Sequence, residues 1–289
     1  MAENKKAVQR RIKAVKSTQQ ITKAMKMVDA AKLRRAQARV LAARPYAREL
    51  AKTLGRLVAA GAGKNHPLLS RQPEGTPTVA YVVITADRGL AGAFNINVIR
   101  RAHAAIEAEA RPVKLICIGR KGRDYFVKRK IQPVLEFVNL GDNMTFALAR
   151  QIVSKIVELY LSGEVDEVRL IYTEFINAVT QRPVETQLLP VQPATGEEEG
   201  QAQVEYIYEP SPEEVLNTLV PRFAETVFYQ ALLESKASEH GARMTAMGNA
   251  TDNAQEMIAK LTLAYNRARQ AAITREISEI VGGANALQG

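Results

Sequence analysis

The stretch ITKAMKMVDAAKLRRAQARV, residues 21–40, holds six basic side chains and one acid, yet its apolar residues recur at helical spacing. Reading outward from it, Val8, Ile12 and Val15 begin an apolar stripe that continues through Ile21, Met25 and Val28. Ala36, Val40, Ala43, Ala47, Leu50, Leu54 and Leu57 then alternate spacings of four and three, the heptad pattern of a coiled-coil seam. Residues 1–60 are expected to form one long helix, with Pro45 kinking it or ending a turn.

The other end of the chain has a matching pattern. Ser211, Pro212 and Glu214 have the form of a helix start with a capping box. Ala237, His240, Met244, Met247, Thr251, Ala254, Ile258, Leu261, Tyr265, Ala268 and Ala272 keep three–four spacing. The stripe then shifts by one to Ile273, Ile277, Ile280, Ala284 and Leu287. Two terminal helices with apolar seams, separated by a domain whose ends can lie close together, pair most simply as an antiparallel coiled coil. The second helix, spanning 211–287, is the longer and is expected to outrun its partner. Many seam positions are Ala or Thr, so the pair buries little apolar area per turn.

Between the helices the rhythm changes. TVAYVVIT (78–85), VKLICI (113–118), PVLEFV (133–138) and VRLIYTEF (168–175) have the composition of strands, with helical stretches near 93–109, 120–130 and 143–162 between them. This alternation predicts a Rossmann-like α/β domain over 76–195 with a mainly parallel sheet, and VETQLLP (184–190) adds an edge strand. The fold class is therefore α/β with a long antiparallel coiled coil. GAGKNHPLLSRQPEGTP (61–77) and QPATGEEEG (192–200) are loop sequences.

The chain's net charge is +10, and residues 5–39 alone carry twelve Lys or Arg against Asp29, so this one segment accounts for the whole excess. Such a stripe calls for an acidic partner. No apolar run approaches the ~20 residues needed to span a bilayer, and the N-terminus lacks the apolar core of a secretory signal. The single cysteine, Cys117, sits in an apolar run and is expected to be a buried strand thiol.

Catalytic chemistry is not expected. His66, His103 and His240 lie in three separate elements without ligands at metal spacing, so neither a metal nor a cofactor is foreseen. TADRGLAGAFN (85–95) stands where a phosphate-binding loop would, but Gly89 and Gly92 form neither G-x-G-x-x-G nor a P-loop, and a tight strand-to-helix turn accounts for them. A basic helix leading into heptads also describes a DNA-reading zipper, the alternative function considered. In a zipper the basic half lies alone in the groove, which would leave Val8, Ile12, Val15, Ile21, Met25 and Val28 uncovered; the C-terminal helix offers them a cover.

RIKAVKSTQQITKAMKMVDAAKLRRAQ, DRGLAGAFN and the C-terminal block from ARMTAMGNATDNAQEM to ITREISEIVGGANAL resemble the gamma subunit of F-type ATP synthases, over essentially the full chain. The resemblance implies a non-catalytic rotor, one copy per complex. Its coiled coil would stand in the alpha3beta3 head of alpha and beta subunits, and its globular part against the epsilon subunit and the proton-driven c-ring. The expected location is peripheral, on the cytoplasmic face of a bacterial plasma membrane, with no nucleic acid bound. Carried over by matching motif, Met25, Lys26, Arg269 and Gln270 would touch acidic loops of the catalytic subunits. Tyr206, Tyr208 and Glu209 in EYIYEP would meet the c-ring and epsilon. The nearly uncharged tip, with Ile277, Ile280, Val281, Ala284 and Leu287, is expected to turn in an apolar bearing. Asp29, Gly241 and Gly248 depart from the family's usual residues, and the paired cysteines of light-regulated relatives are absent.

Overall fold

The computed structural model describes residues 5–59, 63, 66–70, 75–192, 209 and 211–288, except for the side chains of Pro212 and of residues 286–288. In chain order the elements are α1 (Lys5–Ala59), β1 (Val79–Ile84), α2 (Phe94–Ala108), β2 (Val113–Ile118), α3 (Arg120–Lys128), β3 (Leu135–Phe137), α4 (Phe146–Leu161), β4 (Glu167–Phe175), β5 (Gln181–Leu189) and α5 (Pro212–Gln288). Pro45 and Pro221 lie inside α1 and α5, and neither helix ends there. The expected helix start is present, with the Ser211 hydroxyl accepting from the Glu214 amide at 3.3 Å. Of the expected loop over 61–77, residues 63, 66–70 and 75–77 are described and hold turns and bends with no helix or strand, whereas the loop over 192–200 lies outside the described residues beyond Gln192.

The chain divides into two compact units, Met1–Asp29 with Met244–Gly289, and Ala30–Arg243. In the first unit the two helix segments run antiparallel. Gln19 donates to the Gln255 side chain, the Thr22 and Thr251 hydroxyls lie 2.8 Å apart, and the Lys5 ammonium sits 6.0 Å from the Tyr265 ring centre. As the α1 number falls, the α5 number rises.

The second unit is built on a five-stranded sheet in the order β3-β2-β1-β4-β5. β3, β2, β1 and β4 are parallel, and β5 pairs antiparallel with β4 at the edge. Each parallel crossover contains one helix, as parallel strands require. β1 (VAYVVI) is buried at every position, the signature of a central strand covered on both faces. Val79, Tyr81 and Val83 pack with Val98 and Ala102 of α2, Leu115 and Cys117 of β2, Phe126 of α3 and Ile171 of β4. Cys117 is the buried thiol expected from sequence, and burial pushes it up to about 12, so it is protonated and unreactive at neutral pH.

An ion-pair ladder fastens the amino ends of the strands. Arg111 bonds Glu109 at 2.8 Å and Glu167 at 2.7 Å, Arg169 pairs with Glu167 and with Glu185 at 3.1 Å, and Arg101 reaches Glu185 at 3.3 Å. The Arg111 hydrogen bond outweighs burial and holds Glu109 at about 2.

Candidate functional site

The seam of the first unit departs from the sequence expectation in an informative way. Ile21 and Val28, expected inside, are 58% and 53% exposed. Thr22 and Asp29 are buried in their place, and Gln19 is half-buried. The inward positions of α1 are Val8, Ile12, Val15, Gln19, Thr22, Met25, Asp29, Leu33, Ala36 and Val40, which keeps spacings of three and four without a break. The stripe is unbroken because polar residues complete it, and two of them find partners on the facing helix in the Thr22–Thr251 and Gln19–Gln255 pairs. On α5 the expected inward residues Met247, Thr251, Ala254, Ile258, Leu261, Tyr265 and Ala268 are buried or half-buried. Gly248 lies beside Lys26, where a Cβ would make ordinary contact with the Lys26 side chain at 3.5–3.8 Å.

Beyond Ala268 the register finds no described α1 residue opposite α5. Residues 269–285 are all exposed, including Ile273 at 48%, Ile277 at 57%, Ile280 at 67% and Val281 at 52%. Ala284 is exposed as well, and the Leu287 side chain lies outside the described residues. The longer helix therefore outruns its partner with an apolar, uncovered surface.

In the second unit, α5 occupies the place where a Rossmann-like sheet would hold a ligand. The strand order reverses between β1 and β4, and a crevice is expected at their carboxyl ends. There Ala242 packs against Ala86, Ala91 and Phe94. β4 continues past its pairing with β1, and the backbone of Thr173 is satisfied by α5: its amide donates to the Ser235 hydroxyl, and its carbonyl accepts from the Ser238 hydroxyl, both at 3.3 Å. Arg243 donates to the Gly89 carbonyl at 3.3 Å and to Glu239 at 2.8 Å, and Glu239 also accepts from Lys236 at 2.8 Å. Residues 237–243 of α5 are buried on every side, and a Cβ at Gly241 would lie 3.2 Å from the Ala178 carbonyl oxygen, a close fit that would push that loop back by a few tenths of an ångström.

The loop TADRGLAGAFN is likewise satisfied from within. The Ala86 amide donates to Asn95, and the Thr85 hydroxyl bonds around Ile118 and Gly119 and accepts from the Gly122 amide at 2.9 Å. Asp87 accepts from the Arg120 amide at 3.0 Å and the Leu140 amide at 3.2 Å. A carboxylate of the chain thus occupies the start of α3, a helix N-terminus of the kind that attracts anions. The turn reading of this loop holds.

The other expected contact residues form more than one group. Met25 is half-buried and Lys26 exposed, beside Gly248. Arg269 and Gln270 are exposed, about 21 residues further along α5, or roughly 30 Å at helical rise. These four residues lie at two separate levels of the coil. Glu209 is exposed, and Tyr206 and Tyr208 lie outside the described residues. Sequence reasoning missed Ile21, Met27 and Val28 as surface groups; all three are more than half exposed and lie around Met25 and Lys26 in sequence. A strict three–four count through Gln19 and Thr22 would have found them.

These features define a coiled-coil protein with an inserted Rossmann-like domain whose ligand crevice is filled by its own C-terminal helix. A family model described as ATP synthase matches residues 4–287. The ATP synthase gamma chain of Symbiobacterium thermophilum is 83% identical over the whole of both chains, and that of Heliobacterium modesticaldum is 55% identical, covering 97% of this chain and 98% of its own. Among solved structures, the central stalk and c-ring assembly of the Tetrahymena thermophila mitochondrial ATP synthase includes a chain that matches with a TM-score of 0.58 and 25% identity, covering 80% of this chain and 99% of that one. A chain of the Euglena gracilis mitochondrial enzyme shares the fold, with a TM-score of 0.70 at 20% identity over 98% of this chain and 94% of that one. The chain belongs to the gamma-chain family of ATP synthases. Nothing supports the nucleic-acid alternative, since α5 covers the α1 seam that a zipper would leave open.

Proposed function

We propose that this gamma chain is the rotor of the central stalk, carrying torque between a proton-driven c-ring in the membrane and the catalytic alpha3beta3 head. One observation carries the reading: α5 outruns α1 and presents Ile273, Ile277, Ile280 and Val281 to be covered by something else. A collar of head subunits around the tip would cover them while leaving the axle free to turn. The chain has no catalytic role of its own in this account and needs no cofactor. It is present once per complex and touches alpha, beta, epsilon and the c-ring. Among the described residues no helix is long and apolar enough to cross a membrane, which fits attachment through the complex at the cytoplasmic face of a bacterial plasma membrane. The matching Tetrahymena chain is part of a central stalk and c-ring assembly and a matching Euglena gracilis chain is part of a rotor, in keeping with the same role here.

Met25, Lys26, Arg269 and Gln270 would contact acidic loops of the catalytic subunits at two levels, with Ile21, Met27 and Val28 adding apolar area at the first. Tyr206, Tyr208 and Glu209 would face the ring and epsilon. Exposed ion pairs are worth only ~0.2–1 kcal/mol each, which suits an axle that must leave every angular position as readily as it enters it. Lys26→Ala should therefore lower the coupling of ATP hydrolysis to proton pumping only slightly in reconstituted vesicles. Complete loss of pumping in a fully assembled complex would refute torque shared among many weak contacts.

Deleting residues 280–289 removes Ile280 and Val281 from the tip. The account expects weaker binding of the chain to the alpha3beta3 head, with the lost part insensitive to salt because it is apolar. Unchanged affinity in a titration against the purified head would remove the bearing from the account.

A further inference from the structure

Within the second unit, a groove of about 270 Å³ lies between α1 and α5, lined by Lys32, Arg35, Arg39, Asp142, Lys236 and His240 among others. We propose that it is a binding site for a phosphate-class oxyanion of about pyrophosphate size. Lys32, Arg35 and Arg39 stand at i, i+3 and i+7, on one face of α1. Lys236 and His240, at i and i+4 of α5, face them across the groove.

Among the described residues the carboxylates near Lys32, Arg35, Arg39 and Lys236 do not balance them. Glu239 is shared between Lys236 and Arg243, each at 2.8 Å. Asp142 is left to serve Lys32 at 2.7 Å, Lys236 at 3.7 Å and His240 at 3.8 Å. Among the described residues no carboxylate lies within ion-pair distance of Arg35 or Arg39, and the Arg35 Nε makes only a long 3.4 Å bond to its own helix at Ala31.

Asp142 already shows what the groove prefers, because one carboxylate there gathers the Lys32 and Lys236 ammonium groups and the His240 imidazole from two helices. Burial pushes its pKa up, yet the Lys32 hydrogen bond and the charges of Lys236, Lys32 and His240 together hold it below the ordinary carboxylate value. Its loop is shaped to present it, with Asn139 and Gly141 in left-handed conformations and the Leu140 amide tied to Asp87. At ~30 Å³ per water the groove has room for about nine waters, enough for a two-phosphate anion beside Asp142. Arg35 and Arg39 supply planar forks suited to phosphate oxygens. Phosphate recognition fits either inorganic pyrophosphate or the phosphate chain of a nucleotide.

The test is calorimetric titration of the full-length chain with inorganic pyrophosphate, and separately with ADP, at constant ionic strength. Binding is expected to weaken tenfold or more in the Arg35→Ala/Arg39→Ala double variant and to tighten several-fold in Asp142→Asn. Lys128→Ala, which removes an exposed cation outside the groove, should match the unaltered chain. Arg35 and Arg39 are exposed, so their loss should leave the fold intact, and a thermal melt checks this. Tighter binding of ADP than of pyrophosphate would make a nucleotide the source of the phosphate, and the reverse would make it inorganic. Either result supports the site. Binding that weakens equally in all variants would be general cationic attraction and would overturn the proposal. So would an absence of binding accompanied by crosslinks from this groove to carboxylates of partner subunits.

Discussion

Gly119→Ala is expected to destabilise the chain by about 3 kcal/mol or more, summing backbone strain and overpacking. Gly119 has φ 89°, and a Cβ on it would lie 2.1 Å from the Thr85 carbonyl oxygen and 2.9 Å from the Thr85 hydroxyl. Neither atom can yield, because Thr85 closes the β1 loop onto the start of α3 through the Gly122 amide. The backbone therefore has to move at the carboxyl edge of the sheet, where α5 is seated. The guanidinium unfolding midpoint should fall with little change in slope. Gly141→Ala is the matched comparison, since Gly141 has φ 72° but nothing within 4 Å of its would-be Cβ. It should cost only the ~1–2 kcal/mol of a left-handed non-glycine residue. Equal midpoints for the two variants would show that the close approach does not matter.

Glu239→Ala should cost about 3–5 kcal/mol, the usual result of removing one member of a buried ion pair. The side chains of Glu239, Arg243 and Lys236 are 7%, 8% and 12% exposed, so the two cations would lose their shared carboxylate with little water to replace it. The Arg243 bond to the Gly89 carbonyl, which ties α5 to the β1 loop, would be lost or loosened with it. A pH dependence follows. Burial pushes Glu239 up, but the charges and hydrogen bonds of Lys236 and Arg243 prevail and hold it below the ordinary 4.5. A lowered carboxylate contributes stability that is fully present above 4.5 and is lost as pH falls through the folded value. Glu109, held at about 2, acts in the same direction. The unaltered chain should therefore lose stability steadily from pH 4.5 towards 2, and Glu239→Ala should lose less over that range, having already lost one of the groups. Parallel pH curves for the two proteins would remove Glu239 from the account.

The parts of the fold that could be read from sequence are those where apolar spacing alone decides the structure. The heptad from Ala36 to Leu57 placed Val40, Leu50, Leu54 and Leu57 inside, and they are buried. Strand expectations fell within two residues of β1, β2, β3 and β4 because their runs are continuous and bounded by turns. The edge strand begins three residues before the expected start, since its first residues are Gln181, Arg182 and Pro183, which pair with β4 without looking like a strand.

What stayed hidden depended on long-range partners. Ile21 and Val28 look more like core than Thr22 and Asp29 do, and only continuity of the heptad, with Thr251 facing Thr22, reverses that order. Ser235, Ser238, Glu239 and Arg243 look like a solvated helix face. They are buried because the Thr173 backbone and the Gly89 carbonyl wait for them at the end of the sheet. Gly119 attracted no notice in the sequence, since its contact with Thr85 exists only once β1 and β2 are paired.

The most direct test of the rotor reading is to watch the chain turn. With the synthase fixed through its alpha and beta subunits, a visible probe can be attached at Lys128→Cys, an exposed position at the end of α3; the buried native Cys117 should not compete for the label. On addition of ATP the account predicts continuous rotation of the probe in one direction. A probe that stays still while the same molecules hydrolyse ATP would contradict it.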